Sequence, residues 1–293
     1  MAKKNYKVDY HLICAIYFVN DGPSGTDLAD LWSCLSRLDN RSVQISFMRR
    51  NDTDISTLKD SKLGSLELSE ILIEKGNHLT SIGTSLVRTD AINAISDSDV
   101  NFQFSRNEIW NGQQAPAILK LSVSSQVIEQ VGIKSMLEIL NSFFHVADLS
   151  APIFGLVNVA HPDDAFAGMV YGTAWPGNAS LNHLIEQNNW VYSGAKKEDR
   201  MRGIYWGNYL GSKILNRLGG REAFIEVFSK HACYYDSTPN ANLWQFTNGL
   251  FVSLCLDPLD SRPGLPMGLD PVIEANVKWL VCELGAKGVL NQW

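Results

Sequence analysis

Apolar and polar positions along this chain alternate with two different periods, and each switch between them marks a new element. From Val8 to Val19 alternating, β-branched and aromatic residues predict a largely buried first strand, which Asn20-Asp21-Gly22-Pro23 ends. Thr26 then caps a helix whose inner face is Leu28, Leu31, Trp32, Leu35 and Leu38. Val43 to Met48 alternates as a second strand. Arg49 to Lys62 is polar, carries Asp52, Asp54 and Asp60, and reads as an exposed loop. Leu66 to Glu74 reads as a short helix, and the stretch from there to Val100 gives no regular assignment. Asn101 to Ile109 and Ala117 to Val123 form a strand pair, with the turn dipeptide Asn111-Gly112 between them. Gln126 to Val146 is the longest helical pattern, with Val127, Val131, Met136, Leu140 and Phe144 among its apolar positions and Gly132 weakening its interior.

The second half opens with a buried-strand pattern, Pro152 to Ala160. A helical turn follows around Asp164 to Tyr171, and a helix from Leu181 to Asn188. Ile204, Tyr205, Trp206 and Tyr209 form an aromatic, strand-like run that turns at Gly211 into a short helix. That helix buries Ile214, Leu215 and Leu218 and stops at Gly219-Gly220, because glycine can take the left-handed conformation a helix stop needs. Arg221 to Lys230 continues as a helix. Ala232 to Tyr235 and Leu243 to Leu256 supply strands, with a hairpin turn at Thr247-Asn248-Gly249. Asp270-Pro271 starts a last helix over Val272 to Cys282. Strands arrive in clusters rather than alternating with helices, which predicts an α+β fold of mostly antiparallel sheets flanked by helices. The halves 1–148 and 149–293 are similar in size and suit either two subdomains or one continuous domain.

Composition narrows the functional classes. A chain of 293 residues with 45% hydrophobic content buries a sizeable core without staples. A formal net charge of −6 argues against general nucleic-acid affinity, which needs a basic footprint. Five cysteines, an odd number with no CxxC pair, fit a reducing compartment. Lysines precede the first apolar stretch as in a signal peptide, but Asp9 and His11 interrupt it. No apolar run is long enough to span a bilayer, so the expected location is the cytoplasm, away from membranes.

One string has the form of a catalytic motif: the predicted strand ending at Ala160 runs into His161-Pro162-Asp163-Asp164. It looks like a motif of zinc-dependent N-acetylglucosaminyl deacetylases, in which a His and an Asp after a strand bind metal and a neighbouring Asp serves as base, roles that would fall to His161, Asp163 and Asp164. Histidine and carboxylate ligands around an open coordination position suit the activation of water. Against this, Ala165 replaces the acidic residue that normally follows, the motif stands mid-chain, and the family's downstream paired histidines are absent. The simpler reading is a helix start, with carboxylates favoured near its positive end. No GxSxG elbow, phosphate-binding glycine loop, HExxH or EF-hand pattern occurs. The acidic pairs Asp52/Asp54, Asp97/Asp99 and Asp257/Asp260 fall in predicted loops. A carboxylate can stand in for phosphate in the basic cleft of a nuclease, so these six are the candidate partner-binding residues.

Two further motifs carry a resemblance. Glu108-Ile109-Trp110-Asn111-Gly112, followed by the strand ending Leu121-Ser122, resembles the W-N-G turn of the immunity protein 52 family. The Trp206 to Gly220 segment is similar to a second group of type VI secretion immunity proteins. The resemblance implies a cytoplasmic α+β protein that binds a cognate toxin, typically one with a restriction-endonuclease-like domain, and blocks it by occlusion. It implies no catalytic residues, no cofactor, no metal and no direct nucleic-acid contact.

Overall fold

The computed structural model describes residues 10–18, 21–38, 43–50, 62–63, 65–87, 98–106, 109–110, 113–114, 116–160, 199–201, 203–232, 240–258 and 271–290. Ten strands form one sheet. The first half contributes β1 (His11–Phe18), β2 (Val43–Arg50), β3 (Lys62–Leu63), β4 (Leu79–Val87), β5 (Ser98–Ser105) and β8 (Ala117–Ser124). The second contributes β9 (Pro152–Ala160), β10 (Gly207–Gly211), β11 (Leu243–Gln245) and β12 (Gly249–Ser253). The order is β11-β12-β10-β9-β1-β8-β5-β4-β2-β3, and every paired neighbour is antiparallel. The fold is therefore α+β, as the clustering of strands predicts. The two halves meet where β1 pairs with β9. A separate two-stranded ribbon, β6 (Ile109–Trp110) and β7 (Gln113–Gln114), flanks positions 111 and 112.

Register assigns each strand residue to a face, because side chains alternate and cross-strand partners point the same way. Leu12, Cys14, Ile16 and Phe18 of β1 share one face with Val123, Leu121, Leu119 and Ala117 of β8. Val100, Phe102 and Phe104 of β5 extend that face in one direction. Val157 and Gly155 of β9, Tyr209 of β10 and Phe251 of β12 extend it in the other. Helix α1 (Gly25–Ser36) and helix α4 (Ile133–Asp148) cover it. Trp32 of α1 meets Phe102 edge-on with ring centroids 6.0 Å apart. Phe144 of α4 stacks on Tyr209 at 5.8 Å and lies 5.1 Å from Phe251. Burying such rings removes the largest apolar areas a chain carries.

The opposite face changes character along the sheet. Near β9 it is apolar, with Tyr17 stacked on Phe154 at 6.2 Å. On β8 and β5 the same face carries Lys120, Ser122, Asn101 and Gln103. Helices α6 (Arg221–Ala232) and α7 (Pro271–Ala286) pack against each other through Phe224, Phe228 and Trp279. Asn276 of α7 ties that pair to the chain after β12 by donating to the Leu254 carbonyl at 2.6 Å.

Several local expectations need correction. Ser24, not Thr26, caps α1: its hydroxyl accepts from the Asp27 amide, and Asp27 returns the bond in a capping box. The long helix is two, α3 (Ser125–Val131) and α4, because Gly132 adopts φ 81, which no helix interior allows. Strand β4 fills part of the stretch that gave no sequence assignment. Ala232 ends α6 instead of starting a strand. The Trp206 segment behaves as predicted. Trp206, Leu215 and Leu218 are buried, and the indole N–H donates to the Cys255 carbonyl at 3.1 Å. Helix α5 (Ser212–Arg217) stops at Gly219 and Gly220, both at positive φ, with bonds from Gly220 to Leu215 and from Gly219 to Asn216.

This segment thus serves the core. Trp206→Ala is expected to cost about 3–5 kcal/mol and to lower both the melting temperature and the soluble yield. Thermal melts of the two proteins check it.

Candidate functional site

The residues singled out by sequence fall into three groups. Asp52, Asp54, Asp97, Asp260, His161, Asp163 and Asp164 lie outside the described residues. Asp99 is not in a loop. It lies in β5, only 4% exposed, where its carboxylate accepts from the Ser124 hydroxyl at 2.9 Å. That hydroxyl also caps α3 by accepting from the Val127 amide. Asp99 therefore holds a helix start and has no surface to offer a partner. The loop prediction failed because Asp97-Ser98-Asp99 is polar throughout, while Ser98 pairs with Val87 of β4 and Val100 with Val123 of β8. Asp257 follows β12, is half-buried, and its carbonyl accepts from the Cys255 thiol at 3.1 Å.

Around Ser124 the register gathers polar groups at one end of the sheet. Ser124 stands opposite His11, and the His11 ring lies 2.8 Å from the Ser122 hydroxyl through Nδ1. Ser122 is buried and Asn158 lies on the same face, opposite Ile13. The cysteines bring no chemistry to this end. Cys14 points to the apolar face, where burial pushes its thiol far above the ordinary range, so it carries no thiolate character. Among the described residues no group of three or more His, Cys, Asp or Glu could hold a metal ion.

A second polar cluster was not singled out by sequence. Asp148 is the last residue of α4 and only 2% exposed. A carboxylate at the negative end of a helix is unfavourable unless donors surround it. Here the Tyr209 hydroxyl donates to it at 2.5 Å, and the Asn248 amide donates to both of its oxygens at 3.1 and 2.9 Å. The Asn248 side chain also donates to the Asp148 carbonyl at 2.8 Å. Tyr209 reaches this acid by lying across Gly249, where any side chain would overlap its ring. The cluster is a latch between α4 and the β11–β12 hairpin. Burial, followed by the hydrogen bond to Asp148 and that group's charge, pushes the phenol well above its ordinary range. Arg221 offsets this in part.

The third feature is helix α2 (Ser65–Lys75). Leu68 and Leu72 are buried on its inner side, while Leu66 is 81% and Ile73 54% exposed on the outer side. Glu67, Glu70 and Glu74 are exposed beside them. The signal was present in Ser65-Leu66-Glu67-Leu68-Ser69-Glu70-Ile71-Leu72-Ile73. Leu66 and Ile73 stand seven residues apart, two turns, on the face that Leu68 and Leu72 do not use.

No family model matches the chain, and no curated protein does. Among solved structures it is similar to the Pseudomonas aeruginosa T6SS protein PA0821. The TM-score is 0.56 at 13% identity, over 96% of this chain and 76% of that one. The likeness is one of fold, and it extends through both halves of the sequence.

The latch generates a stability prediction. Tyr209→Phe removes a donor to a buried carboxylate and is expected to cost about 1.5–3 kcal/mol. The folded state holds the phenol protonated, whereas an unfolded tyrosine ionises near pH 10. The contribution of Tyr209 is therefore intact below about pH 10 and is lost as the pH rises above it. The melting temperature of the wild type should fall more steeply than that of Tyr209→Phe from about pH 10 upward. Equal slopes would show that the phenol is not held in its neutral form.

Proposed function

We propose that this chain is an immunity protein that binds a cognate secreted toxin and neutralises it by occlusion, inside the cell and in the setting of type VI secretion. The observation that carries the reading is the likeness in fold to a T6SS protein over 96% of the chain. The turn at Trp110 and the Trp206 segment, similar to motifs of immunity proteins, add to it. The toxin best suited to this reading is a restriction-endonuclease-like nuclease, as the resemblance to the immunity protein 52 family implies. Occlusion asks for a rigid surface of fixed shape and needs no turnover. A sheet clamped by aromatic packing and by the Asp148 latch supports such a surface.

Co-expression with any secreted-toxin domain encoded beside this gene tests the reading. Growth should be restored, and a complex should elute together on size exclusion. Continued killing with no complex would reject it. A metal-dependent hydrolase is the second reading, favoured by the observation that β9 runs to Ala160, so His161-Pro162-Asp163-Asp164 directly follows a strand. Metal analysis of protein purified without chelator separates the two. The immunity reading expects no stoichiometric zinc. Zinc lost on His161→Ala, together with deacetylation of an N-acetyl sugar, would put the hydrolase in its place.

A further inference from the structure

We infer that the outer face of α2 is the docking surface for the toxin, and that it engages a basic-rimmed apolar patch at a nucleic-acid-binding cleft. This rests on the immunity reading and adds to it the surface and the chemistry of the partner. Three observations carry it. First, Leu66 and Ile73 are large aliphatic side chains left in water two turns apart on one helix face. Glu70 sits between them, four residues after Leu66 and three before Ile73. An apolar pair at this spacing is the anchor pattern of a helix that lies in a groove.

Second, the charge on the flank beside the pair has one sign, since the exposed Lys75 stands on the other side of the helix. Glu70 and Glu74 are both exposed and lie along one flank, about 6 Å apart along the helix axis. A second copy of this chain would set glutamates against glutamates across a two-fold contact, which disfavours self-association. An anionic membrane surface is disfavoured for the same reason. A cleft built for a phosphate backbone accepts such a row of negative charge through lysines and arginines.

Third, the helix is held before any partner arrives. At its C-terminal end Gly76 lies in backbone contact with Gly25 of α1, with no room for a side chain between them. The Gly25 amide donates to Asn77 Oδ1 at 2.8 Å. Arg106 donates to the carbonyls of Pro23 at 3.0 Å, Gly76 at 3.2 Å and Asn77 at 3.4 Å. Because Leu68 and Leu72 are already buried, docking orders only side chains and not the helix.

The test uses the full chain and any secreted-toxin domain encoded beside it, with binding kinetics read at low and high salt. Leu66→Asp with Ile73→Asp should weaken binding by about 100-fold, mainly through faster dissociation. Glu70→Gln with Glu74→Gln, which keeps shape and removes charge, should slow association about tenfold at low salt and flatten its salt dependence. Both pairs are exposed, so melting temperatures should match the wild type and confirm folding. If the wild type binds and both variants bind within about threefold of it, the surface assignment is overturned while the immunity reading stands. If the wild type does not bind, both fall. If sedimentation shows a dimer that Ile73→Asp abolishes, the face belongs to a second copy and the assignment is overturned.

Discussion

Strand β1 is apolar on both of its faces, and the arrangement of the molecule follows from that. Leu12, Cys14, Ile16 and Phe18 look toward α1 and α4, while Ile13, Ala15 and Tyr17 look the other way, and all seven are buried. A strand with two apolar faces needs cover on both faces, which favours a place inside the sheet over its rim. β8 and β9 supply the neighbours, one from each half of the sequence. The sheet's halves are thereby joined by backbone hydrogen bonds as well as by packing.

On the C-terminal side the constraint becomes aromatic. Phe144, Tyr209, Phe246 and Phe251 gather beneath α4, with ring centroids about 5–6.5 Å apart. Such rings leave a polar atom to satisfy wherever one is a tyrosine. Tyr209 satisfies it with Asp148, and Asp148 in turn needs the Asn248 amide from the hairpin turn. The carboxylate at a helix C-terminus, unfavourable alone, thus becomes the point where helix, strand and hairpin are fixed together. Losing any member leaves the others buried and underbonded, so the latch acts as a unit.

Much of this was legible in the sequence, for identifiable reasons. β1, β9, α1 and the Trp206 segment have periodicities that allow only one burial pattern, and each forms close to the expected range. The break at Gly132 was visible as a weak helix former, but its sign was not. Glycine lowers helix propensity whether or not it adopts positive φ, and only the packing of α3 and α4 decides. Asp99 misled for a related reason. The polar run Asp97-Ser98-Asp99 reads as a loop until register places Asp99 opposite Ser124, one position beyond the Val100–Val123 pair. The Asp148 latch left no local trace, since its partners are 61 and 100 residues away in sequence.

Surface recognition is harder to read than burial because the same residues serve both. A leucine at helical spacing signals a core until the opposite face of the helix is known to be filled. In α2, Leu68 and Leu72 already fill it, and only then do Leu66 and Ile73 become a surplus. The acidic residues raise the same difficulty. Glutamates on a helix read as an ordinary solvated face, while aspartates in predicted loops draw attention as candidate contacts. The cost of ordering the backbone gives the glutamates a claim of their own. A loop carboxylate must be ordered when a partner binds, at an entropic cost for each residue fixed. Glu70 and Glu74 stand on a helix already pinned through Gly25, Gly76 and Arg106, so their backbone loses little freedom on contact. Given equal charge, the anchored helix is the better recognition surface.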